Sequence, residues 1–212
     1  MIIFFVSGFT ALLYQVVWQR MLGLFSGSDV RSVTIVVTSY LLGLGLGSLL
    51  GGFFSDRLSR RKAVQVYGYC NLGIAAFAVL SRFLFYDLLF QQLKPLAQSN
   101  ALMLLIVLLS LLIPTTLMGV SLPLIAKATS QQANQAAPRI GLLYGMNTLG
   151  SGWGTLLSGW YLVGTFGYER TIYLGAMLSA LVGMIALSSA AQFDDRHCAP
   201  EGQLAGAAKM SR

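Results

Sequence analysis

Long apolar stretches separated by short polar breaks make up most of this chain. Crossing a bilayer takes about 20 mostly apolar residues, and six stretches are that long: 2–25, 32–55, 63–86, 101–126, 140–164 and 171–191. Continuous runs of this length indicate helices, because membrane strands alternate apolar and polar residues over short segments. The pattern therefore predicts an all-α polytopic membrane protein with a six-helix transmembrane domain over 1–191. Residues 192–212 are polar and aperiodic, so we expect a disordered cytoplasmic tail.

The composition supports a membrane protein and excludes most enzymatic sites. Hydrophobic residues are 56% of the chain and charged residues only 10%, whereas an ordinary globular domain has about 25% charged residues. The mean hydropathy is +0.70. Cysteine and histidine are too sparse for a disulfide framework, a zinc site or a catalytic triad, since only Cys70, Cys198 and His197 are present. We expect no enzymatic activity, no cofactor and no metal ion.

The charged residues indicate an orientation in the membrane. The net charge is +7, but the basic residues fall at the ends of apolar runs and form no basic face, so nucleic acid is not an expected partner. Cytoplasmic loops of membrane proteins carry an excess of Lys and Arg. Nine of the 14 basic residues fall on one side of the predicted bundle and five on the other. The bilayer is thus the first partner, and we expect a multi-pass protein of a bacterial inner membrane with both termini in the cytoplasm.

The loop between the second and third stretches carries the most specific local pattern. It is similar to the cytoplasmic signature of the major facilitator superfamily, a glycine, three residues, Asp-Arg and a basic cluster, here Gly52, Asp56, Arg57, Arg60, Arg61 and Lys62. The resemblance departs at Ser59, where that family usually has glycine. An aspartate at the end of its own helix gains from the N-terminus of a neighbouring helix or an adjacent arginine. We interpret the motif as a conformational latch; a solvated loop that only sets topology is the alternative.

Two stretches carry small residues at helical spacing. Such residues allow the backbones of two membrane helices to approach closely. They are Gly43, Gly47 and Gly51 in the second stretch, and Gly141, Gly145, Gly150 and Gly154 in the fifth. We interpret both sets as helix-packing surfaces, with substrate lining as the less favoured alternative.

The fourth stretch contains two prolines, Pro114 and Pro123. Each frees a backbone carbonyl, which nearby Thr and Ser hydroxyls can help to satisfy. A kink there would serve either as a hinge or as a bent packing shape, and the sequence does not separate the two.

A few polar side chains lie within the predicted spans and are candidates for a central cavity. Such residues are costly in a membrane and often functional. The candidates are Tyr14, Gln15, Arg20, Asn71, Tyr144 and Asn147. For Gln15 and Asn147, hydrogen bonds between helices are the favoured alternative, and Arg20 is expected to extend toward the headgroups. No carboxylate lies at mid-membrane depth, which argues against a proton-coupled carrier and against a polycation carrier.

Three segments, 7–20, 114–123 and 139–150, together with the glycine-rich end of the second stretch, carry a wider resemblance. They resemble the membrane part of bacterial proteins in which a facilitator-like helical region is fused to a spermidine-synthase-like domain. The resemblance covers about residues 3–190, but Gln15 stands where that family commonly has Glu, and no counterpart of the synthase domain is found. It implies a bundle like one half of a facilitator.

Three hypotheses follow for the function. The first is a half-facilitator transport module of unknown substrate that works as a homodimer. The second is a non-catalytic membrane anchor or regulatory domain for a cytosolic spermidine-synthase-like partner, a polyamine aminopropyltransferase. The third is a fragment without independent activity. In all three the chain itself is not an enzyme.

Overall fold

The computed structural model describes residues 1–26, 29–85, 100–129 and 133–192, and within them every regular element is helical. The helices are α1 (Ile2–Ser26), α2 (Asp29–Ser55), α3 (Arg60–Arg82), α4 (Asn100–Thr129), α5 (Ala133–Leu157) and α6 (Val163–Ser189). A π-helical turn, Ser158–Leu162, joins α5 to α6, and a 3-10 turn, Ala190–Gln192, follows α6. The all-α prediction is confirmed. The predicted disordered tail after Gln192 lies outside the described residues.

Five helical stretches in the described part of the chain are long and apolar enough to cross a membrane. They are Ile2–Gly23, Val33–Ser55, Arg60–Phe85, Leu105–Ala128 and Pro138–Ser189. The last has 52 residues, and a straight helix of that length would measure about 78 Å, more than twice the thickness of the hydrocarbon core.

This long stretch is broken at a single residue, Gly167. Its backbone has φ 77° and ψ 174°, a conformation open essentially to glycine alone. The chain reverses there, because α5 runs parallel to α1 and α3 whereas α6 runs antiparallel to α3. The break from Gly164 to Arg170, expected between the fifth and sixth apolar stretches, is thus reduced to one residue. Helical structure continues on both sides of Gly167, because the change of chain direction is made at this one residue.

Glycines allow close packing in three helix pairs, α2 with α4, α1 with α5 and α3 with α6. A Cβ atom added to Gly68 of α3 would lie 3.0 Å from the Gly183 carbonyl oxygen of α6, for example. Lipid tails are as apolar as leucine, so membrane helices associate through close backbone packing and not through hydrophobic burial. The three pairs therefore depend on the absence of side chains at these glycines.

Two buried clusters fill the bundle, one near each end. The first lies at the end where α1 ends and α2 begins, called here the α1–α2 end. It contains Leu13, Tyr14, Val17, Trp18, Met21, Leu22, Val36, Ile74, Ala75, Ala78, Phe85, Val107, Leu111, Val163, Ile172 and Ala176. The second lies at the opposite end, the α2–α3 end. It contains Phe4, Ala63, Val64, Tyr67, Cys70, Leu124, Ile125, Ala128, Leu143, Val182, Ala186 and Ala190. A cavity separates the two clusters.

Polar contacts join helices at the α1–α2 end. Trp18 Nε1 donates to Ser81 Oγ over 3.1 Å and so links α1 to α3. An Nη1 atom of Arg82 lies 2.9 Å from Glu169 Oε1, and the same atom donates to Tyr173 on α6. Because the side chains of Arg82 and Glu169 are 39% and 54% exposed, this pair contributes little free energy, on the order of 0–1 kcal/mol. It marks where the ends of α3 and α6 meet.

Candidate functional site

All six helices contribute side chains to a central cavity of about 450 Å³. This volume is within the range of small-molecule sites, about 300–1,000 Å³. It lies between the middle of the bundle and the α2–α3 end. The lining residues are Phe4, Ser7, Thr10, Ala11, Leu12, Tyr40, Leu44, Ser48, Tyr67, Asn71, Ile74, Met118, Gly119, Ser121, Leu122, Tyr144, Asn147, Thr148, Ser151 and Ser179.

The cavity wall is uncharged and mostly apolar. Its polar groups are hydroxyls and amides, and the residues that line it include no Asp, Glu, Lys, Arg or His. Apolar and aromatic side chains make up the rest of the wall. The described part of the chain contains no cluster of three His, Cys, Asp or Glu residues able to hold a metal ion. The wall therefore offers hydrogen bonds and apolar contacts without charge neutralisation.

Two neighbouring residues of α3 form one wall of the cavity. Tyr67 and Asn71 are 1% and 2% exposed and lie one helical turn apart. Asn71 Nδ2 donates to the Tyr67 carbonyl oxygen over 3.0 Å. The Tyr67 ring stacks on Phe4 of α1 with 5.7 Å between ring centroids, and its hydroxyl is buried beside the side chains of Ser7 and Asn71. The stack holds this ring against α1.

Three of the six residues expected at a cavity line it, namely Asn71, Tyr144 and Asn147. Tyr144 is 58% exposed and lies at the mouth, whereas Asn147 lies deeper on α5. The Asn147 carbonyl also packs against Gly8 of α1, where an added Cβ would lie 2.9 Å from its carbon atom. The polar face of α5 is thus shared between the cavity and the α1 interface.

The other three residues do not line the cavity. Tyr14 is fully buried and its hydroxyl lies 3.1 Å from Ser179 Oγ, so it supports a cavity residue from behind. Arg20 donates from Nη2 to the Gly159 carbonyl oxygen over 2.6 Å at the α1–α2 end. The π-helical turn thus provides the carbonyl group that holds the Arg20 guanidinium at this end of the bundle.

Gln15 lies beside the cavity and not in its wall. It borders a narrow gap that shares Ala11, Tyr40 and Met118 with the cavity lining. Its Oε1 atom is buried and accepts no hydrogen bond from any described residue. The expected interhelical hydrogen bond is therefore not formed by this oxygen in the part of the chain that the structure describes.

Several hydroxyl-bearing lining residues were not among the sequence candidates. They are Ser7, Thr10, Ser48, Tyr67, Ser121, Thr148, Ser151 and Ser179. A signal for some of them exists, because Tyr67 and Asn71 are spaced i, i+4, and Tyr144, Thr148 and Ser151 are spaced i, i+4, i+7, which places each set on one helical face. A single Ser or Thr gives little indication of a cavity, because both residues are well tolerated in membrane helices.

The glycine stripe of α2 packs inside the bundle against α4. A Cβ added to Gly47 would lie 2.8 Å from Gly119 Cα, and one added to Gly51 would lie 2.9 Å from the Val120 carbonyl oxygen. Gly43 contacts Thr115 in the same way. Gly43, Gly47 and Gly51 therefore pack against α4 within one copy of the chain.

Helix α4 continues through Pro114 and Pro123. Pro123 has no N–H to donate to the Gly119 carbonyl one turn earlier, and Ser48 Oγ of α2 donates to that carbonyl over 3.5 Å. The Thr115 hydroxyl donates to the Leu111 carbonyl over 2.8 Å and reaches the Ser39 carbonyl of α2 over 3.1 Å. The Ser48 hydroxyl of α2 thus gives the Gly119 carbonyl a donor in place of the missing Pro123 N–H. This hydrogen bond links α2 to α4 at the cavity wall.

The glycine stripe of α5 divides into two parts. A Cβ added to Gly150 or Gly154 would lie 2.8 Å from the Phe5 carbonyl carbon or 2.9 Å from the Phe9 carbonyl carbon, so this part packs on α1. Gly141 and Gly145 have open space around them within 4 Å. Only the second part of the stripe is used inside the bundle.

The signature loop forms a tight turn capped by Ser59. This residue is the N-cap of α3, with φ −67° and ψ 158°, and its hydroxyl accepts from the Lys62 amide over 3.4 Å. Serine replaces the usual glycine because the position needs a cap and not a positive φ. As a result α3 begins at Arg60, and Arg61 and Lys62 belong to its first turn and not to a loop.

Arg57 and Asp56 of this loop have different surroundings. The Arg57 guanidinium lies over the Phe53 ring, 4.4 Å from its centroid. Asp56 is exposed, and no ion pair or hydrogen bond of its carboxylate is found among the described residues. Gly52 has open space within 4 Å. In one copy of the chain the aspartate expected to act as a latch is therefore available to a further helix end.

Comparison with known proteins gives one match. The family model of the Major Facilitator Superfamily matches residues 1–205, nearly the whole chain. No curated protein and no solved structure matches the chain.

Proposed function

The chain belongs to the major facilitator superfamily and is a membrane transport module, and we propose that it works as one half of a facilitator. The observation that carries this proposal is the central cavity, to which all six helices contribute. Facilitator-like carriers place their substrate site near the bilayer midplane, between two helical bundles that rock against each other. The cavity lies between the middle of this bundle and its α2–α3 end, and the exposed Tyr144 at its mouth marks the side on which the second bundle would pack.

The proposed topology has six spans, with both termini in the cytoplasm of a bacterial cell and the bundle in its inner membrane. The reversal at Gly167 supports dividing the stretch Pro138–Ser189 into two spans. The basic first turn of α3, with Arg60, Arg61 and Lys62, supports a cytoplasmic α2–α3 end. The helical domain would cover 1–191, followed by a disordered tail.

Thiol labelling tests both the transport function and the topology. In a Cys70→Ala, Cys198→Ala chain, Thr148→Cys places one thiol in the cavity wall. We expect a membrane-impermeant maleimide to label it from both sides of the membrane, because alternating access exposes a transport cavity to each side in turn. Arg61→Cys should react only from the cytoplasmic side. Gln92→Cys, between the third and fourth apolar stretches, should react only from the outside.

Leu149→Cys is the matched control, since Leu149 neighbours Thr148 on α5 but is 60% exposed and lies outside the cavity lining. In lipid it should not react from either side. Labelling of Thr148→Cys from a single side would contradict transport and favour the membrane-anchor function. Reaction of the Arg61 and Gln92 variants from the same side would contradict the six-span topology.

A second copy of the chain is the proposed partner. A facilitator pathway needs two bundles, and the chain supplies one. Gly141 and Gly145 leave a small-residue surface on α5 uncovered, and the exposed Asp56 carboxylate lacks a partner among the described residues. In a two-fold dimer Asp56 of one copy would cap a helix N-terminus of the other.

Light scattering of the detergent-solubilised protein tests this partner. The chain has a mass of 22.9 kDa, so a dimer should show about twice that protein mass. Gly145→Leu should shift the protein toward the monomer by blocking close helix approach. Gly164→Leu is the control because Gly164 also has open space but lies near the α1–α2 end. A strictly monomeric native protein would remove the two-copy pathway.

The relation to spermidine-synthase-like proteins is proposed only as a family relation. The cavity carries no acidic side chain for a polyamine, so the chain itself is proposed to catalyse no aminopropyl transfer. A cytosolic synthase-like partner belongs to the anchor alternative, which the one-sided labelling outcome would favour.

A further inference from the structure

Aromatic side chains are exposed on both arms of the reversal at Gly167. Trp160 and Tyr161 in the π-helical turn are 84% and 57% exposed, and Tyr173 on α6 is 37% exposed. Tyr161 and Tyr173 lie six residues before and six residues after Gly167, so the two arms carry them at about the same distance from the reversal. The three rings therefore form a band at one level of the bundle, called here the aromatic band.

The length of α5 places the aromatic band at a membrane surface. The apolar stretch Pro138–Ser189 begins beside Arg139, and Trp160 follows Arg139 by 21 residues. At 1.5 Å per residue this separation is about 32 Å along the helix axis, close to the thickness of the hydrocarbon core, about 30 Å. With Arg139 at one surface of the membrane, Trp160 lies at the other.

The reversal at Gly167 gives an independent reason for the same placement. The helical conformation is interrupted there, with φ 77°, and helix ends leave backbone N–H and C=O groups without intrahelical partners. Such groups are costly in hydrocarbon, where no water is present to bind them. The reversal follows Trp160 by seven residues, so a band at the membrane surface puts it among headgroups and water.

Two arginines accompany the aromatic band. Arg20 donates to the carbonyl oxygen of Gly159, the residue next to Trp160, over 2.6 Å. Arg82 donates from Nη1 to the Tyr173 hydroxyl over 2.9 Å. Trp, Tyr and Arg are the residues that fix membrane helices at the boundary between acyl chains and headgroups. The composition of this end of the bundle thus fits a lipid headgroup layer.

We infer that Trp160, Tyr161 and Tyr173 form a contact surface for the phospholipid headgroup layer at the α1–α2 end, and that this contact sets the depth of the reversal in the membrane. Each ring places its apolar body toward the acyl chains and its N–H or O–H toward the headgroups. The surface proposed for a second copy, Gly141 and Gly145, is at the opposite end of α5. The inference rests on the proposed six-span topology and not on transport.

Quenching of tryptophan fluorescence by brominated phospholipids tests the depth of the band. Trp153→Phe leaves Trp160 as the exposed tryptophan, and Trp160→Phe leaves Trp153, the matched control on the same helix. Trp153 follows Arg139 by 14 residues, about 21 Å along the axis and so within the hydrocarbon core. Trp18 is 2% exposed and gives both variants the same background.

The purified variants are compared in vesicles whose lipids carry bromine either near the headgroup end or near the methyl end of the acyl chains. We expect the ratio of shallow to deep quenching to exceed one when Trp160 is present and to fall below one when Trp153 is present. Equal ratios, or deeper quenching of Trp160, would overturn the inference. So would an absence of quenching of Trp160 by lipid, because protein would then cover it, as in contact with a second copy.

Thr165→Cys in the cysteine-free chain tests the placement of the reversal. Thr165 is exposed and lies two residues before Gly167, and we expect a membrane-impermeant maleimide to label it from the side opposite to Arg61→Cys. Leu156→Cys is the control, because Leu156 is also exposed but lies 11 residues before Gly167, within the hydrocarbon core. It should not react. No reaction at Thr165→Cys, or equal reaction at both positions, would contradict the headgroup contact.

These measurements are independent of the labelling of Thr148→Cys in the cavity. Two-sided labelling of Thr148→Cys together with equal quenching ratios would reject the headgroup contact and leave the transport function standing. One-sided labelling together with the expected ratios would reject transport and leave the headgroup contact standing.

Discussion

Gly47→Ala is expected to lower the midpoint of thermal unfolding by at least about 5 °C, whereas Gly45→Ala, two residues away, leaves it unchanged or slightly higher. The added methyl group at Gly47 would lie 2.8 Å from Gly119 Cα. Both sides of this contact are backbone, so no side-chain rotation relieves it and α2 must move away from α4. Overpacking of this kind costs about 1–3 kcal/mol.

The two glycines of α2 differ in surroundings and not in secondary structure. Gly45 has no atom within 4 Å of an added Cβ, so alanine there should gain about 0.5–1 kcal/mol from reduced backbone entropy. Both variants are compared in the same detergent by following unfolding with temperature. Equal midpoints for the two variants would contradict the α2–α4 contact described above.

Gly150→Ala is expected to have an effect of similar size on the α1–α5 pair. An added Cβ would lie 2.8 Å from the Phe5 carbonyl carbon, so α5 must move away from α1. We therefore expect the variant to lose about 1–3 kcal/mol of stability. The measurement is the midpoint of thermal unfolding, compared with that of the parent chain in the same detergent.

Gly152→Ala is the control for this position, because Gly152 lies on α5 with open space around it. It should keep the unfolding midpoint of the parent chain. If Gly152→Ala lost stability to the same extent as Gly150→Ala, helix α5 would be sensitive to any side chain, and the specific contact with Phe5 would not be the cause.

The helical class could be predicted from the sequence because apolar length alone determines it. Stretches of more than 20 apolar residues leave the backbone no option in lipid except a helix. Helix ends were less predictable. In the sequence, Ser59 is only a departure from the usual glycine of the signature. In the structure it is the N-cap of α3, so the helix begins at Arg60.

The change of direction between α5 and α6 could not be placed to the residue. Gly164 and Gly167 are both glycines in the expected break over 164–170, and only the three-dimensional structure shows which of them takes a positive φ. The glycines in the sequence show where the chain can reverse, but tertiary packing determines which of them takes the positive φ.

The composition of the cavity wall was the hardest feature to predict. In a soluble helix the polar face identifies the outside, but a helix in lipid is apolar toward both the bilayer and its neighbours. Gln15 and Asn71 are both amides within spans, yet only Asn71 faces the cavity. Nothing in the sequence gives the rotation of each helix about its axis, and that rotation decides which residues line the site.

The single-residue reversal at Gly167 also has a mechanical consequence. Helices α5 and α6 each pack on α1 more than on each other, so the turn at Gly167 is a covalent tie between two neighbours of the same helix. Tyr144 on one arm and Ser179 on the other both border the cavity. A displacement of one cavity-lining helix is therefore expected to reach the other through this one residue.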